Sequence, residues 1–320
     1  MFTDPAVQRL WDAGRILAAY EGSSEPVALS NEHPFRDQHL LLTDAQQWHE
    51  RGVLCWYNAR DGEAEAALAR AYELRRKILG PDHPDTLDTV ERQAAAARSI
   101  PKFEAVIDRL IAVFDEQHLR VAIARRNFAA ELRNASRVPE ARAIFRLAAP
   151  VIESSLPSGH GDVVALLKVA ALLCVHEEDH ASSIARATRA IELGQGLWNE
   201  AHPFIASAEL IVATAERKLH KYKRARQRLP WICERLEAAY GEHPLLALAL
   251  WLGAQIDLLG QFGLLQADLD LRRAIEIFGI AGRPSTELQV SLFQTLFCRE
   301  APRHLRHLTT LGGSGLLPHL

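Results

Sequence analysis

Small and apolar positions recur along this chain in step with a short polar phrase. The phrase reads LGPDHPDT around His83 and returns in degraded form at His118, His160, His202 and His243. The steps between these histidines are 35, 42, 42 and 41 residues, and a related GRPST phrase follows about 40 residues later. Self-similarity at a period of this size is typical of repeat proteins, whose units bury their apolar faces against neighbouring units. The sequence therefore predicts an array of repeats.

The eleventh residue after each histidine is small. Two antiparallel helices that cross closely need a side chain no larger than a methyl group at the crossing, so this position predicts the first helix of each unit. Counting back 42 residues from His83 places an earlier unit at Leu41, whose eleventh position is Gly52. In the five later units the residue is alanine, namely Ala94, Ala129, Ala171, Ala213 and Ala254.

A second helix is predicted from about the twentieth position of each unit. Its signature is a small, a large and a small residue at spacings of four and three, which fall on one helical face. Turn-like tetrads separate the two helices at 59–62, 136–139 and 218–221, and the histidine phrase supplies capping Gly, Asp and Pro residues. The signature is seen in three units as Ala64, Leu68 and Ala71; Ala141, Phe145 and Ala148; and Ser183, Ala187 and Ala190.

Together these features resemble the tetratricopeptide repeat, and the long unit with its GPDHP phrase is similar to the kinesin-light-chain type. The resemblance implies an all-α, right-handed superhelical solenoid of antiparallel helix pairs. It covers roughly residues 41–282, with about six units that start near 41, 83, 118, 160, 202 and 243. We expect a capping helix (4–21) and a connector in 1–40, a short second helix in the His83 unit, and a degenerate repeat and tail in 283–320.

Composition narrows the classes of function. The net charge of −3 excludes a strongly basic protein, so we do not expect nucleic acid as the main partner. Four scattered cysteines have no metal-binding spacing, and we expect them to be reduced and buried. The N-terminus has no apolar core of a secretory signal, and there is no run of 18 uncharged apolar residues. We therefore expect a cytoplasmic protein that spans no membrane.

One segment spells a metalloprotease motif. The residues from His176 to His180 read HEEDH, but zinc chemistry of that type needs both histidines on one continuous helix. The repeat register places this segment in the turn between two helices, so we predict neither a metal nor a catalytic residue there. The junction histidines lie on successive layers, and we expect them to satisfy backbone groups at helix ends. No other catalytic or cofactor motif occurs, and we predict no cofactor.

The resemblance also implies that the first helices line a concave groove, with positions 5, 8, 9, 12, 15 and 16 facing inward. In the three central units these positions hold five cations and no acid. The plain alternative is that the arginine stems merely cover apolar surface. We expect instead an accessible basic groove, formed by Arg126, Arg133, Lys168, Arg217 and Lys218.

Three further side chains complete the predicted peptide site. His176 and Trp251 also occupy inward positions, and Asn127 stands at position 9, where the kinesin-light-chain family commonly has asparagine. Other units depart from that asparagine, which favours recognition by side chains and charge over a backbone clamp. We predict a non-enzymatic scaffold that binds an acidic protein or peptide. The alternatives are a regulator that responds to a peptide or small ligand, and an enzyme built on a helical-repeat scaffold.

Overall fold

The computed structural model describes residues 2–23, 38–199 and 202–280, and within these ranges the chain forms fourteen helices and no strand. Two short helices, α1 (Pro5–Asp12) and α2 (Ile16–Gly22), come first. Six antiparallel pairs follow, which confirms the predicted all-α class of helix pairs. They are α3 (Gln38–Tyr57) with α4 (Asp61–Leu79), α5 (Pro84–Ala96) with α6 (Ile100–Phe114), α7 (Leu119–Asn134) with α8 (Val138–Ser155), α9 (Gly161–His176) with α10 (His180–Gln195), α11 (Pro203–Lys218) with α12 (Tyr222–Tyr240), and α13 (Pro244–Leu259) with α14 (Leu264–Ile280).

The chain divides into two compact units, residues 1–166 and 167–320, with the division inside α9. In unit 1 the core lies between the paired helices α3 to α8. In unit 2 a cluster of buried aliphatic residues from α9, α10 and α11 forms part of the core, with Ala171, Ala187 and Ile211 among its members. In both units the buried surface therefore comes from helices that are neighbours in sequence.

The predicted small positions lie at helix crossings. All five alanines of the eleventh position, from Ala94 to Ala254, are fully buried. Gly52 shows the steric reason most directly, because a Cβ atom built there would lie 2.5 Å from Cγ of Leu68 on the paired helix α4. The second-helix signature is also buried, with Ala64, Leu68 and Ala71 at 0% exposure, except that Phe145 is half-buried. These predictions are confirmed.

The junction histidines cap helices, as predicted. In each of the five, Nδ1 accepts a hydrogen bond from the backbone N–H two residues later, at 3.1–3.3 Å. This side-chain acceptor satisfies one of the N–H groups left unpaired at a helix start. Proline occupies the first helical position after His83, His202 and His243, where the N–H that it lacks would have had no partner within the helix.

Each turn within a pair contains one residue with left-handed backbone, and none of these is glycine. The φ angles lie between 48° and 61°, a region that side chains with a Cβ atom seldom adopt. The tetrad pattern predicts where the turns lie but not this conformation. The residues are Ala59, Arg98, Ser136, Glu178, His220 and Gln261.

The N-terminal prediction needs a correction. A single helix over 4–21 was expected, but the helix breaks after Asp12 and restarts at Ile16. Gly14 at the break has φ of 75°, and its N–H bonds to the carbonyl of Trp11. The connector lies mostly outside the described residues, and so do the degenerate C-terminal repeat and tail. In the His83 unit α6 has 15 residues against 19 in α4 and 18 in α8, but α10 also has only 16, and the first helix α5 is short as well at 13 residues.

None of the described helices combines the length and the apolarity that crossing a bilayer requires. Cys55, Cys174 and Cys233 are free thiols, and Cys55 is buried while the other two are half-buried. Cys298 lies outside the described residues.

Candidate functional site

In unit 1 a chain of polar side chains connects the first helices of three consecutive repeats. Asn127 of α7 donates from Nδ2 to Glu91 of α5 at 2.5 Å. Its Oδ1 accepts from Nε and Nη2 of Arg126, at 3.1 and 2.9 Å. Arg126 in turn donates from Nη1 to the carboxylate of Asp162, in the first turn of α9, at 2.7 Å. Opposite charges and amides therefore alternate along this face.

These side-chain contacts change the prediction for two of the candidate residues, Arg126 and Asn127. Arg126 is only 6% exposed and its guanidinium is already engaged by Asp162 and Asn127. The expectation that Arg126 is an accessible surface cation is therefore wrong. Both ends of the Asn127 amide are also engaged, since Oδ1 accepts from Arg126 and one N–H of Nδ2 bonds to Glu91, which leaves a single N–H for any contact with a peptide backbone. Burial raises the pKa of Glu91, whose carboxyl group lies among these side chains.

Arg133 is buried as well, at 2% exposure, so the expectation of an accessible cation is wrong here too. Its Nη2 donates to Oδ1 of Asn134, while Nε and Nη1 have no hydrogen-bond partner. Burial lowers the pKa of Arg133 to about 10, with the nearby Glu131 opposing the shift. A cation in this position stabilises no ligand without a local opening of the structure.

A second polar cluster in unit 1, around His49 on α3, was not predicted from the sequence. The Nε2 atom of His49 lies 3.2 Å from the carboxylate of Asp88. Its Nδ1 lies 3.3 Å from Oγ1 of Thr89 and 3.4 Å from Nη1 of Arg75. Burial lowers the pKa of His49 to about 4, against the opposing effect of Asp88. The sequence around a histidine in the middle of a helix does not reveal such a cluster, because the partners of His49 come from two other helices.

In unit 2 the predicted site residue Lys168 on α9 is held by α11. Its Nζ donates to Oγ of Ser207 at 2.6 Å and lies 4.6 Å above the ring of Phe204. Burial lowers the pKa of Lys168 to about 8. This amine therefore has internal partners, although its side chain keeps some exposed surface.

Three basic side chains of unit 2 come together where α10 begins and α11 ends. We call His180, Arg217 and Lys218 the basic cluster. Burial is the largest cause of the lowered pKa of His180, and the charges of Lys218 and Arg217 lower it further. Burial is also the largest cause of the lowered pKa of Lys218, to which the charge of Arg217 adds. Burial also lowers the pKa of Arg217. Mutual repulsion and desolvation therefore both favour the binding of an anion at this place.

The basic cluster has unused donors. Among the described residues, neither the side chain of Arg217 nor that of Lys218 forms a hydrogen bond or a close ion pair. The Nε of Arg217 and the Nδ1 of His180 are buried without a hydrogen-bond partner. Glu178 is the acid whose charge opposes the lowered pKa of Lys218, and its side chain is exposed. The cations at the end of α11 also complement the helix dipole, which accounts for part of their placement.

The two remaining candidates lie on α9 and α13, the first helices on either side of the α11 repeat in sequence order. His176 is the last residue of α9, where its side chain is half-buried. Trp251 in α13 is 8% exposed and presents little of its ring to a ligand. Sequence reasoning predicted Arg217 and Lys218 but missed His180, because its position, the twentieth after His160, is not among the positions considered inward.

The HEEDH segment lies in the turn between α9 and α10, as its register predicted. His176 ends one helix, Glu178 has φ of 60°, and His180 begins the next helix. The continuous helix that the metalloprotease motif requires is interrupted here. In the described part of the chain, no group of three or more His, Cys, Asp or Glu side chains could hold a metal ion.

Comparisons with known proteins agree with the helix-pair architecture. Residues 52–85 match the family model described as tetratricopeptide repeat. The crystal structure of the apo form of RapI is similar at a TM-score of 0.55 and 13% identity, over 84% of this chain and 74% of that one. A putative kinesin light chain with TPR-like repeats from Podosopora anserina covers 64% of this chain and 97% of its own, with a TM-score of 0.43 and 16% identity. No curated protein matches the sequence significantly.

The fold therefore defines a class, the helical-repeat scaffolds suited to protein interaction. Within that class, the chain is similar to tetratricopeptide-repeat proteins in its helix pairs with small crossing residues and in the match over residues 52–85.

Proposed function

We propose that this protein is a non-enzymatic interaction scaffold, and that its basic cluster binds an acidic segment of a partner protein. The observation that carries the proposal is the convergence of His180, Arg217 and Lys218, in which Nε of Arg217 and Nδ1 of His180 lack hydrogen-bond partners within the described structure. Arginine presents several donors in a planar fork that matches a carboxylate, and lysine adds a point charge. A side-chain or C-terminal carboxylate of the partner fits this arrangement.

Electrostatics support an anionic ligand over a neutral one. The chain as a whole is negative, yet the two cations at the end of α11 have no close carboxylate partner among the described residues. A bound carboxylate would relieve the repulsion that lowers the pKa values of His180 and Lys218. Binding is therefore expected to strengthen as pH falls and His180 becomes protonated.

Arg126 and Arg133 have a different role in this proposal. Because both are buried and Arg126 is neutralised by Asp162, they support the architecture of unit 1 and do not contact the partner directly. Lys168 is half-exposed and engaged by Ser207, so we place it at the margin of the binding surface.

Binding is tested with a fluorescent acidic peptide and fluorescence anisotropy. The double variant Arg217→Glu/Lys218→Glu should lose binding by at least about tenfold, because both attractive charges become repulsive. The matched control is Arg186→Glu/Arg189→Glu, an equal change of charge at two exposed positions of α10. Affinity should also weaken as salt rises, since exposed charges are screened over about 8–10 Å at 0.10–0.15 M ionic strength.

Two results would overturn the proposal. One is equal binding of the acidic peptide by the double variant and by its control. The other is tighter binding of single-stranded RNA with a steeper dependence on salt, which would indicate contact with phosphates. A peptide with an amidated C-terminus separates recognition of the terminal carboxylate from recognition of acidic side chains.

A further inference from the structure

Unit 2 contains a second candidate site, whose chemistry differs from that of the basic cluster. A cavity of about 570 Å³ is lined by residues of α12, α13 and α14, and we call it the α12–α14 groove. Its volume falls in the range of small-ligand sites, which are mostly apolar with a few placed polar groups. Leu229, Ala249 and Leu250 supply buried apolar lining, while Pro230 and Phe262 are exposed at its margin.

One carboxylate of the groove is already neutralised. Arg226 donates from Nε to Oδ1 of Asp257 at 2.6 Å, and Asp257 is 4% exposed. The same guanidinium lies 5.0 Å above the ring of Phe262, which fixes its orientation. Asp257 and Arg226 therefore form a closed pair on one side of the groove.

The other carboxylate, Asp270, forms no close ion pair with a described residue, although Lys223 also lines the groove and the charge of Arg273 acts on it. Oδ1 of Asp270 accepts a hydrogen bond from Gln266 at 2.8 Å, but no described Lys, Arg or His side chain pairs with this carboxylate within 4 Å. Arg273, three residues later, pairs instead with Glu237 at 2.5 Å. Burial raises the pKa of Asp270, and the charge of Asp257 adds to the effect. A partly desolvated carboxylate of this kind is stabilised by a cation that enters from solution.

Glycine keeps space open beside this carboxylate. A Cβ atom at Gly253 would lie 3.4 Å from Cδ1 of Leu229 and 3.5 Å from Oδ2 of Asp270. The absence of a side chain at Gly253 therefore leaves apolar surface and the second Asp270 oxygen next to each other. Because Gln266 already uses the first oxygen, a compact single-point donor fits better than a bidentate guanidinium.

We propose that the α12–α14 groove binds a primary ammonium group on an apolar chain, with the ammonium on Asp270 and the chain against Leu229 and Leu250. A lysine side chain of a partner and a free alkylamine share this chemistry. The proposal is independent of the basic cluster, because the two sites select ligands of opposite charge.

Cys233 provides a direct reporter of charge in the groove. Its thiol lines the cavity, and burial raises its pKa to about 12, with Asp270 contributing in the same direction. We would modify the intact protein with a cationic aminoethyl and an anionic sulfonatoethyl methanethiosulfonate, and follow the peptide containing Cys233 by mass spectrometry. The cationic reagent should react roughly tenfold faster or more, because one carboxylate attracts the first and repels the second.

The preference should collapse in Asp270→Asn, which keeps the hydrogen bond with Gln266 but removes the charge. It should persist in Glu276→Gln, an equal change of charge at an exposed position of the same helix. Thermal unfolding would confirm that both variants are folded. Equal rates for the two reagents in the unmodified sequence, or a preference that survives in Asp270→Asn, would overturn the proposal.

A titration followed by NMR tests binding itself and separates the two sources. Hexylamine should shift amide signals of α12 and α13 in a saturable way, and Asp270→Asn should weaken the affinity for hexylamine about tenfold. Hexanoate should not bind. If a lysine peptide binds and its Nε-acetylated form does not, the ligand is a lysine side chain of a partner. If hexylamine binds and the lysine peptide does not, the ligand is a small free amine. Hexanol binding as tightly as hexylamine would refute a role for Asp270.

Discussion

At the scale of single residues, His49 on the first helix α3 gives the folding stability a dependence on pH. His49 is buried and its pKa is lowered to about 4, from about 6.5 in an unfolded chain. Above pH 6.5 the histidine is neutral in both states and costs nothing. As pH falls from 6.5 towards 4, only the unfolded state gains the proton, so folding stability is lost in that window.

We expect His49→Gln to remove most of this acid sensitivity. The difference between the two proteins in free energy of unfolding should change by up to about 3 kcal/mol between pH 7 and pH 4, following the 1.36 kcal/mol per pKa unit of linkage. Urea unfolding at several pH values measures it. The same comparison with His83→Asn, at a capping histidine near the surface, serves as the control. Parallel curves for the protein and His49→Gln would contradict the assignment.

Gly52 provides a steric prediction at the same scale. In Gly52→Ala the new methyl group would meet Leu68 at 2.5 Å, so overpacking should cost about 1–3 kcal/mol of stability. The control lies in the same repeat, where a Cβ atom at Gly62 would meet nothing within 4 Å. Gly62→Ala should be neutral or stabilising, because alanine favours a helix by up to about 1 kcal/mol over glycine. Chemical denaturation measures the free energy of unfolding of both variants. Equal changes in Gly52→Ala and Gly62→Ala would refute the crossing argument.

The sequence predicts small residues better than polar ones, for a physical reason. A crossing needs a small side chain whatever its partner, so the position of Ala171 follows from the period alone. The partners of Arg126 depend on which residues of adjacent repeats come opposite it. Asp162 stands two residues after a junction histidine, outside the positions considered inward, and its ion pair was therefore not predicted.

At the scale of elements, the junction phrase acts as a helix-start signal in which histidine replaces the usual Ser, Asp or Asn. His83 caps α5 through Nδ1 and is followed by Pro84 in the first turn. The same geometry at the other four junctions accounts for the recurrence of the histidine by capping. The repeated phrase thus encodes local structure.

We expect His83→Ala to lower the free energy of unfolding by about 0.5–2 kcal/mol, the usual cost of losing an N-cap. His83→Asn should retain most of the stability, because its side-chain oxygen can accept the same N–H of Asp85. Thermal or urea unfolding of the pair measures the difference. Equal losses in the two variants would show that the ring of His83 matters through packing and not through capping.

Element boundaries were predictable where a strong signal stood at the junction and less so elsewhere. Pro84, Pro203 and Pro244 mark the starts of three first helices within the predicted phrase. The break at Gly14 was missed because the apolar pattern of residues 4–21 continues through it. The left-handed turn residues such as Ser136 also carry no compositional mark, since their conformation is imposed by the packing of the two helices they join.

At the scale of the whole molecule, the helices contact mainly their neighbours in sequence. The major contacts join consecutive helices, such as α3 with α4 and α11 with α12, and weaker ones join first helices of successive repeats, such as α11 with α13. Stability in such an array is close to a sum of terms within repeats and between adjacent ones. A local defect is therefore expected to have a local effect.

Ala213 at the crossing of α11 offers the test of this locality. It is fully buried, so Ala213→Leu should overpack the pair and cost about 1–3 kcal/mol. Because hydrogen exchange reports local opening, amides of α10 to α12 should lose protection while those of α3 to α6 keep theirs. Ala185→Leu, at an exposed position of α10, is the matched control and should leave both regions unchanged. A uniform loss of protection across all helices in Ala213→Leu would mean that the chain unfolds as one cooperative body, and the additive description of its repeats would fail.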